Sequence, residues 1–316
     1  MSPKTSPSRS HVVARRRRPR NVLAAACVVA LLMAAGAAVS GAGRPRAAAA
    51  LRPVHSTRLT APIVRYDLAL GDSLAVGVGA SQPADGYVDL VYRHQLARKP
   101  GLQLEDLACS GATTTSMIVG GEWCPYAAGT QLAAAESFIR SHPGQISFVT
   151  IDIGLNDIDG CMTDTTVDAR CVADGLRKAG TDLATILAGL RSADRSIVIY
   201  GADYYDPFLA AWSNGAAGRV VARQSEADVL ALDQVLTRGF ARFDAPVAEV
   251  ATRFDTVDFG SAPASKGAAL PENVARVCAW TWMCSASDLH PDDLGHAQLA
   301  GAFDTVIDAN RNQSRV

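Results

Sequence analysis

Ile63-Val64-Arg65-Tyr66-Asp67-Leu68-Ala69-Leu70-Gly71-Asp72-Ser73-Leu74 carries a short apolar, β-branched run straight into a glycine turn. A run of that length stopped by a turn reads as a buried strand. Gly71 permits a sharp change of direction, which places Ser73 on a strand-to-helix turn, and the N–H groups of a helix start can stabilise an anion. Gly-Asp-Ser is also an ordinary turn with Asp72 or Ser73 as N-cap. Alone, the stretch leaves both readings open.

Outward from it the pattern alternates. Further apolar runs occur at Leu102 to Leu107, Ile146 to Ile153, Ser196 to Ala202 and Val247 to Val250. Helix-like segments lie between and after them, at Tyr87 to Arg98, Thr130 to Ser141, Val172 to Leu190, Arg219 to Phe240 and Leu294 to Asn310. Five strand–helix alternations predict an α/β fold with a five-stranded parallel sheet, covered by helices on both faces through right-handed crossovers. Such sheets bind ligands outside the carboxyl ends of their strands.

The residues just past those ends are therefore the candidates for chemistry. Cys109-Ser110-Gly111-Ala112-Thr113-Thr114 follows the second run, and the N–H of Gly111 can meet a substrate oxygen with no side chain in the way. Gly154-Leu155-Asn156-Asp157 follows the third, and the Asn156 amide can donate to the same oxygen. A loop glycine and an Asx turn are the plain alternatives. A calcium loop is excluded, because Leu155 stands where an EF-hand needs its first ligand. Near the far end comes Asp288-Leu289-His290-Pro291. A neutral imidazole, with an ordinary pKa of about 6.5, is the natural base for a serine. His290 outranks the other histidines: His11 and His55 precede the domain, His94 and His142 fall in or at the end of helices, and His296 in the last helix suits a structural role.

The chain has 316 residues, 48% hydrophobic and 19% charged, which is ordinary globular composition. Its net charge of −1 hides an asymmetry: residues 1–43 hold seven of the 30 Lys and Arg and no acid, leaving 23 against 31, or −8, for the rest. An acidic body argues against nucleic acid as a partner. A basic stretch to Arg20, an apolar run from Val22 to Val39 and the small residues Ser40 to Gly43 read as an export signal cleaved after Ala42. A retained membrane anchor is the alternative. Residues 44–62 read as a linker, and residues 63–316 as the catalytic domain.

Cys27 falls within the apolar run, leaving Cys109, Cys124, Cys161, Cys171, Cys278 and Cys284. An even number in an exported chain reads as disulfides. The expected pairing joins sequence neighbours: Cys109–Cys124, Cys161–Cys171 and Cys278–Cys284. Zinc has no C-x-x-C spacing to support it. No metal and no cofactor are expected.

Taken together, Gly-Asp-Ser-Leu at 71–74, the glycine block at Gly111, Gly-Leu-Asn-Asp at 154–157 and Leu-His-Pro at 289–291 resemble the GDSL, or SGNH, family of serine hydrolases. The resemblance covers most of the chain after the linker, in the family's order. It implies a flavodoxin-like three-layer α/β/α fold, with Ser73 as nucleophile, the N–H groups of Ser73 and Gly111 and the Asn156 amide as oxyanion donors, and His290 as base. One departure stands out. The family usually has Asp three residues before the histidine, where this chain has Ser287, and its acid is Asp288, two before. Asp288 is the candidate third member, and a Ser–His dyad oriented by the Ser287 carbonyl is its rival.

The resemblance also points to a secreted, three-disulfide bacterial branch of esterases and lipases. Fatty-acyl and lipid esters are the expected substrates and O-acetylated polysaccharide the runner-up. Contact with membrane is expected only through the signal or a lipid substrate, and the protein is expected to be a monomer. An exported binding protein that keeps the fold without turnover is the alternative of another class. The α/β-hydrolase reading is disfavoured, because no G-x-S-x-G occurs. Trp280, Trp282 and Met283 precede His290, and core packing is expected of them ahead of lining an acyl pocket.

Overall fold

The structure is a computed structural model and describes residues 64–260 and 270–313. The expected export signal (1–43) and linker (44–62) lie outside the described residues, with His11, Cys27 and His55. No helix of the described residues is long and apolar enough to cross a membrane.

Five parallel strands form one sheet: β1 (Arg65–Gly71), β2 (Leu102–Asp106), β3 (Ile146–Asp152), β4 (Ile199–Ala202) and β5 (Val247–Ala248). Their order is β2-β1-β3-β4-β5, the flavodoxin-like arrangement, whose crevice opens between β1 and β3 where the winding reverses. Register is fixed by pairs such as Leu68 with Val149, Val149 with Ile199 and Gly201 with Val247. The inner strands are continuous apolar runs because both faces are covered: Leu68, Ala69 and Leu70 on β1, and Val149 and Ile151 on β3, are fully buried.

The helices are α1 (Ser73–Val76), α2 (Tyr87–Leu96), α3 (Thr114–Val119), α4 (Gln131–Ser141), α5 (Ala169–Ala193), α6 (Gly215–Ala241), α7 (Val250–Arg253), α8 (Glu272–Trp280), α9 (Met283–Ala286) and α10 (Asp293–Gln313). Helices α2 and α10 pack together, with Tyr87 stacked on Phe303 at 5.1 Å, while α4, α5 and α6 pack in succession. Helix α5 starts where the Asp168 carboxylate accepts the N–H groups of Arg170 and Cys171. It buries Val172, Gly175, Ala179, Leu183, Ile186, Leu187 and Leu190, spaced three or four apart. Full burial of each such Leu or Ile is worth about 1.5–3 kcal/mol.

Two strands are shorter than the apolar runs suggest. Ser196 gives both its N–H and its hydroxyl to Asp194, which makes residues 194–196 a turn and delays β4 to Ile199. After Ala248 the Asp203 carboxylate accepts the N–H of Ala251, satisfying a helix-start donor and turning Val250 into α7 rather than strand.

Candidate active site

The turn after β1 is held from three sides. Gln131, buried in the first turn of α4, accepts the Gly71 N–H at 2.9 Å and donates to the Gly71 carbonyl at 3.0 Å. That carbonyl also accepts the N–H of Cys109 at 3.0 Å, tying the β1 and β2 ends together. Gly71 has φ of +144°, and a Cβ there would run into the Asp152 carboxylate, so no other residue fits. Asp72 then caps α1 by accepting the Leu74 N–H at 2.9 Å. The hydroxyl of Ser73, the first residue of α1, has no hydrogen-bond partner among the described residues.

Beneath Ser73 lies a buried polar cluster that the sequence reading missed. Asp72 accepts the Tyr204 hydroxyl at 2.9 Å, Asp152 accepts the Tyr87 hydroxyl, and the Asp72 N–H reaches Asp152 at 3.4 Å. Burial, and then the neighbouring charge of Asp72, hold the Asp152 carboxyl well above its ordinary pKa. Burial raises Asp72 as well, against the hydrogen bonds and the nearby His290 charge that favour its ionised form.

Gly111 and Asn156 come together at the adjacent strand ends. Cys109 to Ala112 form a turn closed by the Ala112 N–H on the Cys109 carbonyl, with Gly111 at φ +77°. That conformation favours glycine. Among the described residues no hydrogen bond uses the Gly111 N–H, and the space around its Cα is open. Asn156 spends one amide hydrogen on the Ala112 carbonyl at 2.9 Å, which sets the side chain beside Gly111 and leaves the second hydrogen free to donate. Asp157 binds the two loops together by accepting both the N–H and the hydroxyl of Thr114, at 2.9 and 2.8 Å.

His290 arrives from the opposite end of the chain. Its Nδ1 lies 2.5 Å from Asp288 Oδ1, which also accepts the His290 backbone N–H at 3.1 Å. This is an Asx-type turn, and it lets an acid two residues back reach the ring. Ser287, at φ +53°, supplies the bend before it, and no hydrogen bond joins its carbonyl to the ring among the described residues. Partial burial raises the Asp288 carboxyl, but the backbone and ring hydrogen bonds and the charge of His290 outweigh it, leaving the pKa below its ordinary value.

Four bonds staple this segment to the loop after Ser73. Trp282 Nε1 donates to the Gly79 carbonyl at 2.9 Å, Ser81 donates its N–H and hydroxyl to Asp293 at 2.7 Å each, and His296 Nε2 donates to the Val78 carbonyl at 3.0 Å. Because His296 Nδ1 accepts the Tyr87 N–H, the proton must sit on Nε2. Burial lowers the His296 pKa and keeps that ring neutral. The loop in turn reaches Ser73, since the Val78 N–H binds the Ser73 carbonyl at 3.0 Å.

The other histidines among the described residues serve the scaffold: His94 on α2 faces Asp304 and Asp308 on α10, and His142 closes α4. The cysteines are bonded as Cys109–Cys124, Cys161–Cys171 and Cys278–Cys284. Trp280 packs edge-on against Phe254 at 5.2 Å and Met283 packs on the core, while Trp282 is 41% exposed at the rim beside Gly79. Among the described residues no group of three or more His, Cys, Asp or Glu is arranged to hold a metal.

The profile of the GDSL-like lipase/acylhydrolase family matches residues 69–298, from the turn after β1 through His290. The chain belongs to that family. Solved relatives of this GDSL-like hydrolase include the lipase Lip_vut3 from a goat rumen metagenome, 16% identical over 77% of this chain and 96% of that one, with a TM-score of 0.50. An extracellular lipase from Streptomyces rimosus is 19% identical over 77% of this chain and 99% of that one, with a TM-score of 0.49. At such identities the first likeness speaks for the fold. No curated protein sequence matches.

Proposed function

We propose that this GDSL-like hydrolase is a secreted serine esterase or lipase that cleaves carboxylic esters of fatty-acyl or lipid type through a Ser73 acyl-enzyme. The observation that carries the reading is the Asp288–His290 pair facing the loop whose Val78 binds Ser73, with the Ser73 hydroxyl unpaired at the same sheet edge. Asp288 holds the proton on Nδ1 and turns Nε2 into the acceptor. His290 takes the Ser73 proton as the hydroxyl oxygen attacks the ester carbonyl, then returns it to the leaving alkoxide. Water, deprotonated by the same ring, releases the acid. Charge on the carbonyl oxygen is met by the N–H groups of Ser73 and Gly111 and the second amide hydrogen of Asn156. Three disulfides support the secreted setting.

The test is a nitrophenyl organophosphonate followed by peptide mass spectrometry. A single adduct on Ser73, with loss of activity, is expected; an unmodified Ser73 in folded protein overturns the reading and leaves a binding protein. Nitrophenyl esters of increasing chain length then separate fatty-acyl from acetyl preference.

A further inference from the structure

Two adjacent tyrosines that follow β4 bond to segments from opposite ends of the domain. The Tyr204 hydroxyl donates to Asp72 Oδ2 at 2.9 Å, and Asp72 Oδ1 accepts the Leu74 N–H at 2.9 Å, so the residues on either side of Ser73 are held through one hydroxyl. The Tyr205 hydroxyl donates to the Leu289 carbonyl at 2.6 Å, one residue before His290. Among the described residues that carbonyl has no other hydrogen bond. One dipeptide thus touches both the turn that bears Ser73 and the segment that bears His290.

The turn that carries them is itself anchored. Asp203 accepts the Ala251 N–H at 3.0 Å, Asp233 of α6 accepts the Tyr204 N–H at 2.9 Å, and Asp206 accepts the hydroxyl of Ser225, also on α6, at 2.7 Å. Both tyrosines are fully buried, and Tyr205 stacks on Phe254 with ring centroids 4.4 Å apart. Burial, and then the charge of Asp72, raise both phenol pKa values, which keeps the hydroxyls protonated as donors. Phenylalanine would fill nearly the same volume, so what the two hydroxyls add is their bonds to residues 72 and 289. A base must stand within hydrogen-bond reach of the hydroxyl it deprotonates, and a small misplacement of either group is costly in rate. On the Ser73–His290 reading above, we propose that Tyr204 and Tyr205 are positioning residues whose hydroxyls, from one anchored turn, set the Ser73 turn and the His290 segment at their working separation.

The test compares Tyr204→Phe, Tyr205→Phe and the double variant with wild type and with Tyr92→Phe, which loses a hydroxyl bond to the Leu102 carbonyl at the amino edge of the sheet. Hydrolysis of nitrophenyl butyrate reads kcat and KM, and a nitrophenyl organophosphonate with mass spectrometry reads the rate and the final extent of Ser73 labelling. Each single variant is expected to lower kcat and the labelling rate about tenfold, with KM unchanged and labelling still running to completion. Tyr92→Phe is expected to match wild type. A merely structural role would instead shrink the labelled fraction and leave its rate alone. Because both hydroxyls serve one separation, the double variant is expected to lose less than the product of the single losses. The positioning role is overturned if the two variants keep wild-type kcat, if their losses lie in KM or in the labelled fraction, or if those losses simply multiply. A wild type that neither hydrolyses the ester nor labels at Ser73 removes the Ser73–His290 reading itself, whereas an active wild type with equally active variants removes only the role of the tyrosines. Should one single variant fail to fold, the other decides by the same comparison with Tyr92→Phe.

Discussion

Asp288 Oδ1 holds His290 twice, at the ring Nδ1 and at the backbone N–H, so one carboxylate oxygen fixes both the position and the tautomer of the imidazole. Asp288→Ala removes both bonds. The expected result is a fall in kcat of at least tenfold with little change in KM, read from ester hydrolysis under saturating substrate. Ser287→Ala is expected to keep activity, since only the backbone of that residue shapes the bend. Equal activity of Asp288→Ala and wild type would transfer the orienting role to the Ser287 carbonyl.

Ser73→Ala is expected to leave hydrolysis close to background. Asn156→Ala removes one oxyanion donor and is expected to lower kcat by ~10²- to 10³-fold, about 2.7–4 kcal/mol. The same change frees the Ala112 carbonyl, so a thermal melt must accompany the kinetics to separate lost transition-state contact from a loosened turn.

Gln131 makes no hydrogen bond to Ser73 or His290, yet it pairs with both the N–H and the carbonyl of Gly71. Gln131→Ala leaves a buried N–H unpaired and is expected to cost about 1–3 kcal/mol in denaturant unfolding. Gln131→Glu can still accept from the Gly71 N–H but cannot donate to its carbonyl, and it is expected to be destabilising as well.

Asp233 sets a pH dependence of stability. Its folded pKa is raised to about 8, against about 4 in an unfolded chain, so between those values the folded state holds the extra proton. Stability therefore falls as pH rises through that window and levels off above about 8. Asp233→Asn cannot ionise, and its advantage over wild type is expected to grow by a few kcal/mol between pH 5 and pH 9, at ~1.4 kcal/mol per pH unit. Urea unfolding at the two pH values measures it; a constant difference would refute it.

Removing Cys109–Cys124 with a pair of serines opens a loop whose ends are 15 residues apart. The chain-entropy account gives about 3 kcal/mol for that closure. Because Cys109 also donates its N–H to Gly71, activity is expected to fall more steeply with temperature than unfolding alone explains.

Period and turn chemistry were enough to read the sheet, because its inner strands are covered on both sides and leave unbroken apolar runs. Four short motifs, three of them at strand ends, offered Ser73, Gly111, Asn156 and His290 as candidates. What escaped is what depends on side chains meeting across long separations. Gln131 looked like an ordinary first-turn residue of α4, and Asp152, Tyr87 and Tyr204 sat in segments that read as plain strand, helix and loop. An acid inside an apolar β3 run was the one signal that could have exposed the buried cluster. Helix α8 was also missed, although Val274 and Val277 at helical spacing and the Glu272–Arg276 pair mark it.

The staple between Ser81 and Asp293 spans 212 residues, and that between Val78 and His296 spans 218. A ribosome-bound intermediate still lacking α10 has neither Asp293 nor His296 to hold the His290 segment against the loop after Ser73. On the proposed mechanism, hydrolytic competence thus waits for α10 to dock, and a still-unfolded polypeptide poses no threat to the esters of the cell that builds it.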